Sequence, residues 1–403
     1  MDKARGDRSL ILLTLLLMAI GLVMIYSASA VLAGRQYGDS LFFLKRQMLW
    51  AVVGIIAMGI ASRVPYEVWN RTALPLVLVT AILLGLVLIP GIGIELNGSR
   101  RWFRLGPLTL QPSEAARLCA VIYLARYLMK KRDRLDDFFR DFLPPMIVIG
   151  VLLALIMGES DLGTAAVLGL VAGLMLFIGG ARWRHLWVMG LLAAPVLYAM
   201  IMKIGYRRQR WMAFLDPWRD PTDTGFQMIQ SFLALGGGGP VGMGLGEGRQ
   251  KLFFLPYPHT DFIFAVIGEE LGLLGTLSVL ILFGMLAWRG LSISLRAPDP
   301  FGRHLAFGLT MMIIVQAMVN MAVVTGLLPT KGLTLPFLSY GGSSLVANLA
   351  AVGILWNISR NAWAERSVLS RERARPGWGT KAIVWSGRRE PARRAGGRGL
   401  RET

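Results

Sequence analysis

The chain alternates between long apolar blocks and short polar connections, and the blocks are too long for the core of a soluble domain. They fall at residues 9–31, 46–62, 73–92, 112–129, 142–158, 162–180, 185–203, 262–288, 304–328 and 341–360. Each approaches the ~20 residues that a helix needs to cross a bilayer, so the pattern predicts about ten transmembrane helices. The expected fold class is all-α, a polytopic integral membrane protein. Pro195 falls inside the seventh block and predicts a kink there. Residues 1–8 read as a polar amino terminus, 9–361 as the membrane domain and 362–403 as a tail without apolar periodicity. One connection is long, 204–260, and its Gly236-Gly-Gly-Gly-Pro-Val-Gly-Met-Gly-Leu-Gly-Glu-Gly248 predicts no stable helix. That stretch could re-enter the bilayer. Ala28-Ser29-Ala30 imitates a signal-peptidase site, but the block around it is long for a signal sequence and further spans follow.

Composition agrees, with 54% hydrophobic and 17% charged residues. Much of the net charge of +19 sits beyond the last block, where eleven Lys and Arg against four Glu are interspersed with Gly and Pro. Such a tail is expected to be disordered and to meet anionic headgroups. Nucleic acid is the weaker partner, because no folded module for it is present, and none is expected to bind. The single cysteine, Cys119, excludes a disulfide within the chain. Ten helices return both termini to one side. Lys and Arg favour that side by about two to one, which predicts cytoplasmic termini and an external 204–260 loop.

The basic residues left on the outer side cluster in Asn97-Gly-Ser-Arg-Arg-Trp-Phe-Arg104 and Tyr206-Arg-Arg-Gln-Arg-Trp211. A solvated loop with Trp as interfacial anchor accounts for both. So does recognition of a phosphate-bearing ligand, for which paired guanidinium groups are suited. Asp261 stands at the threshold of the eighth block. There it can cap the helix, or act as a base beside a site that faces lipid. Leu110-Gln-Pro-Ser-Glu114 reads as a helix start in which Ser113 caps and Glu114 faces Arg117. Asp161, in the turn Gly158-Glu-Ser-Asp161, is expected to cap the next helix and to supply a second outer carboxylate. Glu269 and Glu270 lie about 12–14 Å deeper than Asp261 at ~1.5 Å per residue and point away from it, so they are expected to pair with Arg117 or Arg126. Lys331 is the one charge in the last outer connection, as a snorkel or an anion contact. No Gly-Lys-Ser/Thr follows the Gly-rich stretch, which argues against a nucleotide P-loop.

Several stretches together resemble the SEDS family (shape, elongation, division and sporulation) of bacterial cell-wall polymerases. They are Tyr26-Ser-Ala-Ser29, Gln111-Pro-Ser-Glu114, Asp161-Leu-Gly-Thr164, Phe214-Leu-Asp-Pro-Trp218, Gly225-Phe-Gln-Met-Ile-Gln230, His259-Thr-Asp-Phe262, Gly268-Glu-Glu-Leu-Gly272 and Leu335-Pro-Phe-Leu-Ser-Tyr-Gly-Gly-Ser-Ser344. The resemblance runs from the first block through the tenth. Leu328-Pro-Thr-Lys-Gly-Leu-Thr-Leu-Pro336 looks like the division branch; the elongation branch usually lacks this lysine. Two positions depart from the pattern: Tyr257 replaces a usual glutamate, and Arg117 a common lysine.

The resemblance implies polymerisation of lipid II, a disaccharide-peptide on undecaprenyl diphosphate, at the outer face of the bacterial cytoplasmic membrane. Asp261 maps onto the family's catalytic aspartate, a general base. Arg101, Arg104, Arg207, Arg210, Lys331 and His259 become candidates to hold the diphosphate, with Glu114, Arg117, Asp161, Glu269, Glu270 and Ser343 in support. A divalent cation, Mg or Mn, could assist, although no ligand cluster marks one. A membrane-anchored class B penicillin-binding protein, a transpeptidase, and other division proteins at the septum are the implied partners. The alternatives are a lipid II flippase, for which buried Glu and broken helices also suit alternating access, and a non-catalytic division scaffold. A flippase predicts unusual charge on both sides of a path, and here it lies outside.

Overall fold

The computed structural model describes residues 6–96, 99–106, 108–131, 135–252, 255–256 and 258–373. Ten helices coincide with the ten apolar blocks: α1 (Arg8–Tyr37), α2 (Phe42–Arg63), α3 (Tyr66–Val87), α4 (Pro112–Lys131), α5 (Leu143–Gly158), α6 (Leu162–Ile178), α7 (Trp183–Met202), α10 (Ile263–Arg296), α11 (Pro300–Val324) and α12 (Gly342–Arg373). Two more, α8 (Gly205–Leu215) and α9 (Phe226–Gly237), lie within the long connection. Among the described residues eight helices are long and apolar enough to cross a membrane. The other two blocks fall short for physical reasons. Helix α6 has 17 residues, and α4 carries Glu114, Arg117, Arg126, Lys130 and Lys131.

The bundle is built around α11, which packs against α4, α6, α9 and α10. Small residues allow the approach: a Cβ at Gly308 of α11 would sit 2.6 Å from Val121 of α4 and from Met175 of α6. Helix α7 is the opposite case, since His185 is its one buried residue and its apolar side chains face outward. Acidic caps start three helices, Asp7 on α1, Asp161 on α6 and Asp299 on α11. The expected cap on α4 is absent. Ser113 is already the second helical residue, its hydroxyl is buried without a partner, and the preceding Gln111 N–H donates instead to Ser343 Oγ at 3.0 Å.

The arginine-rich stretch before α4 is not the solvated loop that its composition suggests. It forms β2 (Ser99–Leu105), the central strand of a small antiparallel sheet between β1 (Ile94–Leu96) and β3 (Leu108–Leu110). Chain 238–251 stays non-helical after α9, as its glycines require, and runs back alongside α10. There α10 is broken at Gly272 (φ 67°, ψ −160°). The loop supplies what the break leaves open. Met243 and Gly244 N–H donate to the carbonyls of Glu269 and Glu270, each at 3.0 Å, and Leu273 and Leu274 N–H donate to Gly239 and Pro240 at 2.9 and 3.1 Å. Among the described residues, the chain as far as Trp363 forms one compact unit. From residue 374 the basic tail lies outside the described residues, as does Tyr257.

Candidate active site

Asp261 does not cap α10. The cap position belongs to Phe262 and makes no side-chain bond, so the half-buried Asp261 carboxyl is left for other work. Its backbone is fixed from α11, where Asn320 Nδ2 donates to the Asp261 carbonyl at 2.9 Å and to the Leu333 carbonyl at 2.6 Å. One amide thus joins the residue to the 331–336 connection. Gly332 closes against the carboxyl, with Oδ2 3.4 Å from where a Cβ would be. Burial pushes the Asp261 pKa up to about 6; the Arg101 and Arg210 guanidinium groups pull it down and Asp161 adds to the rise. A base with a pKa near neutrality is matched to taking a proton from a hydroxyl.

Asp161 is saturated. It accepts Thr164 N at 2.9 Å, Thr164 Oγ1 at 2.8 Å and Gln111 Nε2 at 3.1 Å, and Arg101 Nη1 lies 3.6 Å away. It holds Arg101 toward the site while capping α6. Two residues earlier Glu159 is buried with neither carboxyl oxygen partnered. Burial, then Asp161, pushes its pKa up to about 9 against the pull of Arg101, so it is a neutral acid at pH 7. Sequence reading passed over it; in the structure Ser160, between the two acids, has a positive φ of 65° and both acids are buried. Burial lowers the pKa of Lys331, opposed by Asp161.

The structure therefore gathers Asp261, Asp161, Arg101, Arg210 and Lys331 at the start of α10. Other candidates are placed elsewhere. Arg104 is exposed. Arg207 is buried and spent on Tyr206 Oη at 3.0 Å and the Met200 carbonyl at 3.4 Å. His259 is buried, 4.3 Å from the Phe43 ring and 5.7 Å from Tyr340, and burial lowers its pKa to about 4. The neutral imidazole, tilted against Phe43 and edge-on to Tyr340, packs between the rings and brings no positive charge to a phosphate.

The supporting pairs meet expectation in one case and differ in the other. Glu114 and Arg117 do pair, and Arg117 Nη1 donates to Gln316 Oε1 at 2.8 Å. Gln316 Nε2 in turn donates to the Thr334 carbonyl at 2.9 Å. Ser343 donates to the Thr109 carbonyl at 3.2 Å. Arg126 bonds the carbonyls of Asn70 and Arg71, and Glu269 and Glu270 face the Gly-rich loop, so neither glutamate meets either arginine. Like Glu159, Gln316 and Asn320 were missed by sequence reading. Two amides four apart in an apolar span were the available signal.

A divalent cation fits this arrangement poorly. No three His, Cys, Asp or Glu side chains converge among the described residues, and Asp161 already has its donors. What remains is a poised carboxylate flanked by fixed cations, able to accept a proton where negative charge develops alongside.

The family described as Cell cycle protein, of FtsW, RodA and SpoVE, matches residues 7–363. The chain belongs to this family. A probable peptidoglycan glycosyltransferase FtsW of Geobacter sulfurreducens is 50% identical over 355 residues, 88% of this chain and 95% of that one. Stage V sporulation protein E of Bacillus subtilis is 46% identical over 358 residues, 89% and 98% of the two chains. Among solved structures, a chain of a peptidoglycan synthase complex that coordinates polymerization and crosslinking superposes with TM-score 0.73 at 33% identity, covering 89% of this chain and 98% of that one. Thermus thermophilus RodA, a rod shape determining protein, gives 0.67 at 29% identity, covering 88% and 97%. The family's multi-pass membrane architecture is thus that of this chain.

Proposed function

We propose that this protein is a peptidoglycan glycosyltransferase that polymerises lipid II at the outer face of the cytoplasmic membrane, for the septal wall in division. The observation that carries the proposal is the half-buried Asp261 carboxyl, poised near pH 6 with Arg101 and Arg210 acting on it. The names of the FtsW relatives support the activity. The likeness to a synthase complex supports a crosslinking transpeptidase partner, a class B penicillin-binding protein.

In the reaction a sugar hydroxyl of one lipid II attacks the anomeric carbon of another. The new C–O bond forms as the bond to undecaprenyl diphosphate breaks. Asp261 takes the hydroxyl proton as general base, and the departing diphosphate carries negative charge into the field of Arg101, Arg210 and Lys331. Asp161 keeps Arg101 in place. The Lys331 loop, tied to Asp261 through Asn320, brings the cation and the base into one unit. Asp261→Asn keeps shape and removes the base. Purified with its partner and supplied with lipid II, that variant is expected to fold and bind the partner but to lose glycan synthesis by at least about 100-fold. Wild-type strand formation would remove the base assignment.

A further inference from the structure

Both glutamates of α10 are committed to the Gly-rich loop in a way the proposed chemistry does not use. Glu269 accepts the N–H groups of Arg249 at 2.7 Å and Gln250 at 3.1 Å. Glu270, fully buried, accepts Lys251 Nζ at 2.6 Å, Gly246 N at 3.1 Å and Ser27 Oγ of α1 at 2.7 Å. Lys251 Nζ completes its own donors on the Gly246 carbonyl at 2.7 Å and Ser27 Oγ at 3.0 Å. Both side chains of the pair are nearly inaccessible, 5% and 0% exposed.

A buried ion pair is weak evidence for stability, because desolvation offsets the attraction, and its best-attested use is to fix register. Here the register is that of the chain delivering the base. Lys251 opens the segment that ends at Asp261. At the far end the carbonyl of His259 accepts Tyr340 N at 2.9 Å and that of Asp261 accepts Asn320 Nδ2 at 2.9 Å, while the His259 ring packs beside Phe43 and Tyr340. The backbone bonds fix where the segment stops but do not select a side chain for the Lys251 end. The three-way joint of Ser27, Lys251 and Glu270 is selective.

We infer that Ser27, Lys251 and Glu270 are positioning residues for the glycosyl transfer, a clamp that sets the Asp261 carboxylate against the substrate hydroxyl. The inference rests on the base assignment above. The cations that meet the diphosphate sit on other elements, β2, α8 and the 331–336 connection, so loss of the clamp acts on turnover and spares substrate affinity.

The test uses the full chain with its transpeptidase partner and lipid II, reading kcat, KM and Tm together. The pair Lys251→Met with Glu270→Leu removes both buried charges at similar volume. It is expected to keep Tm within a few degrees of wild type and KM within about twofold while kcat falls at least about tenfold. Ser27→Ala keeps both charges and the fold, and is expected to lower kcat about threefold at unchanged KM and Tm. Recovery of kcat together with Tm in the double variant, a parallel rise in KM, or wild-type kcat in Ser27→Ala would overturn the clamp. Asp261→Asn, run alongside, separates the two readings. If it is inactive while the clamp variants are wild type, the clamp falls alone; if it is active, the base assignment falls and takes the clamp with it.

Discussion

At pH 7 a carboxyl whose pKa burial has raised to about 6 is still mainly the carboxylate, so Asp261 is competent as a base and becomes less so as the pH falls. The sign of each neighbour is fixed by its charge. Arg101 favours the ionised form and Asp161 disfavours it. Removing Arg101 therefore raises the Asp261 pKa twice over, by deleting a stabilising cation and by uncovering the Asp161 charge that the cation screens. For Arg101→Gln the acid limb of kcat/KM for lipid II is expected to move above about pH 6, beyond any uniform loss of rate from weaker diphosphate binding. A pH profile of wild type and variant checks this: an unmoved limb would show that Arg101 does not act on the base. His259, two residues away, does not share the titration, since burial holds it neutral down to about pH 4.

At the scale of elements, the break in α10 is the feature on which the site is hung. Gly272 adopts a backbone conformation that L side chains rarely reach, and a Cβ there would lie 2.3 Å from Gly242 N. Gly242 itself has φ +87°, and a Cβ on it would meet the Glu270 carbonyl at 2.1 Å. Gly272→Ala is thus expected to cost about 3 kcal/mol or more, from strain and backbone overlap combined. Gly284→Ala in the same helix, with nothing within 4 Å, should stay within about 1 kcal/mol of wild type. Thermal unfolding in lipid nanodiscs compares them. The helices were legible in the sequence because apolar runs near bilayer length have few other uses. Asp161 as a cap and Glu114 with Arg117 were legible because those contacts are local. The strand over Arg100–Arg104, the partners of Glu269 and Glu270, and the joint to Ser27 were not, because each depends on residues brought from far along the chain. Composition reads 97–104 as solvated, whereas pairing of Phe103 with Leu110 and Trp102 with Ile94 makes Ser99–Leu105 a strand.

For the whole molecule, the charge bias and the site make one joint claim about orientation. The sheet, α8, α9 and the start of α10 belong to one end of the bundle, and the short basic connections such as 179–182 to the other. If Lys and Arg mark the cytoplasmic side, the end that carries Asp261 meets the exterior, where lipid-linked sugars are joined to wall. Single-cysteine labelling decides it. Cys119 is buried, and Cys119→Ala leaves a background with no reactive thiol. On that background Glu247→Cys, exposed in the Gly-rich loop, is expected to react with a membrane-impermeant maleimide in intact spheroplasts. Asp136→Cys, exposed in the connection between α4 and α5, should react only after permeabilisation. The second substitution breaks an exposed ion pair with Arg182, Asp136 Oδ1 lying 3.0 Å from Arg182 Nη2, which costs at most about 1 kcal/mol and leaves the fold intact. The reverse labelling pattern would put Asp261 on the cytoplasmic side, away from any exterior polymer, and a transporter or scaffold would then account better for the same bundle.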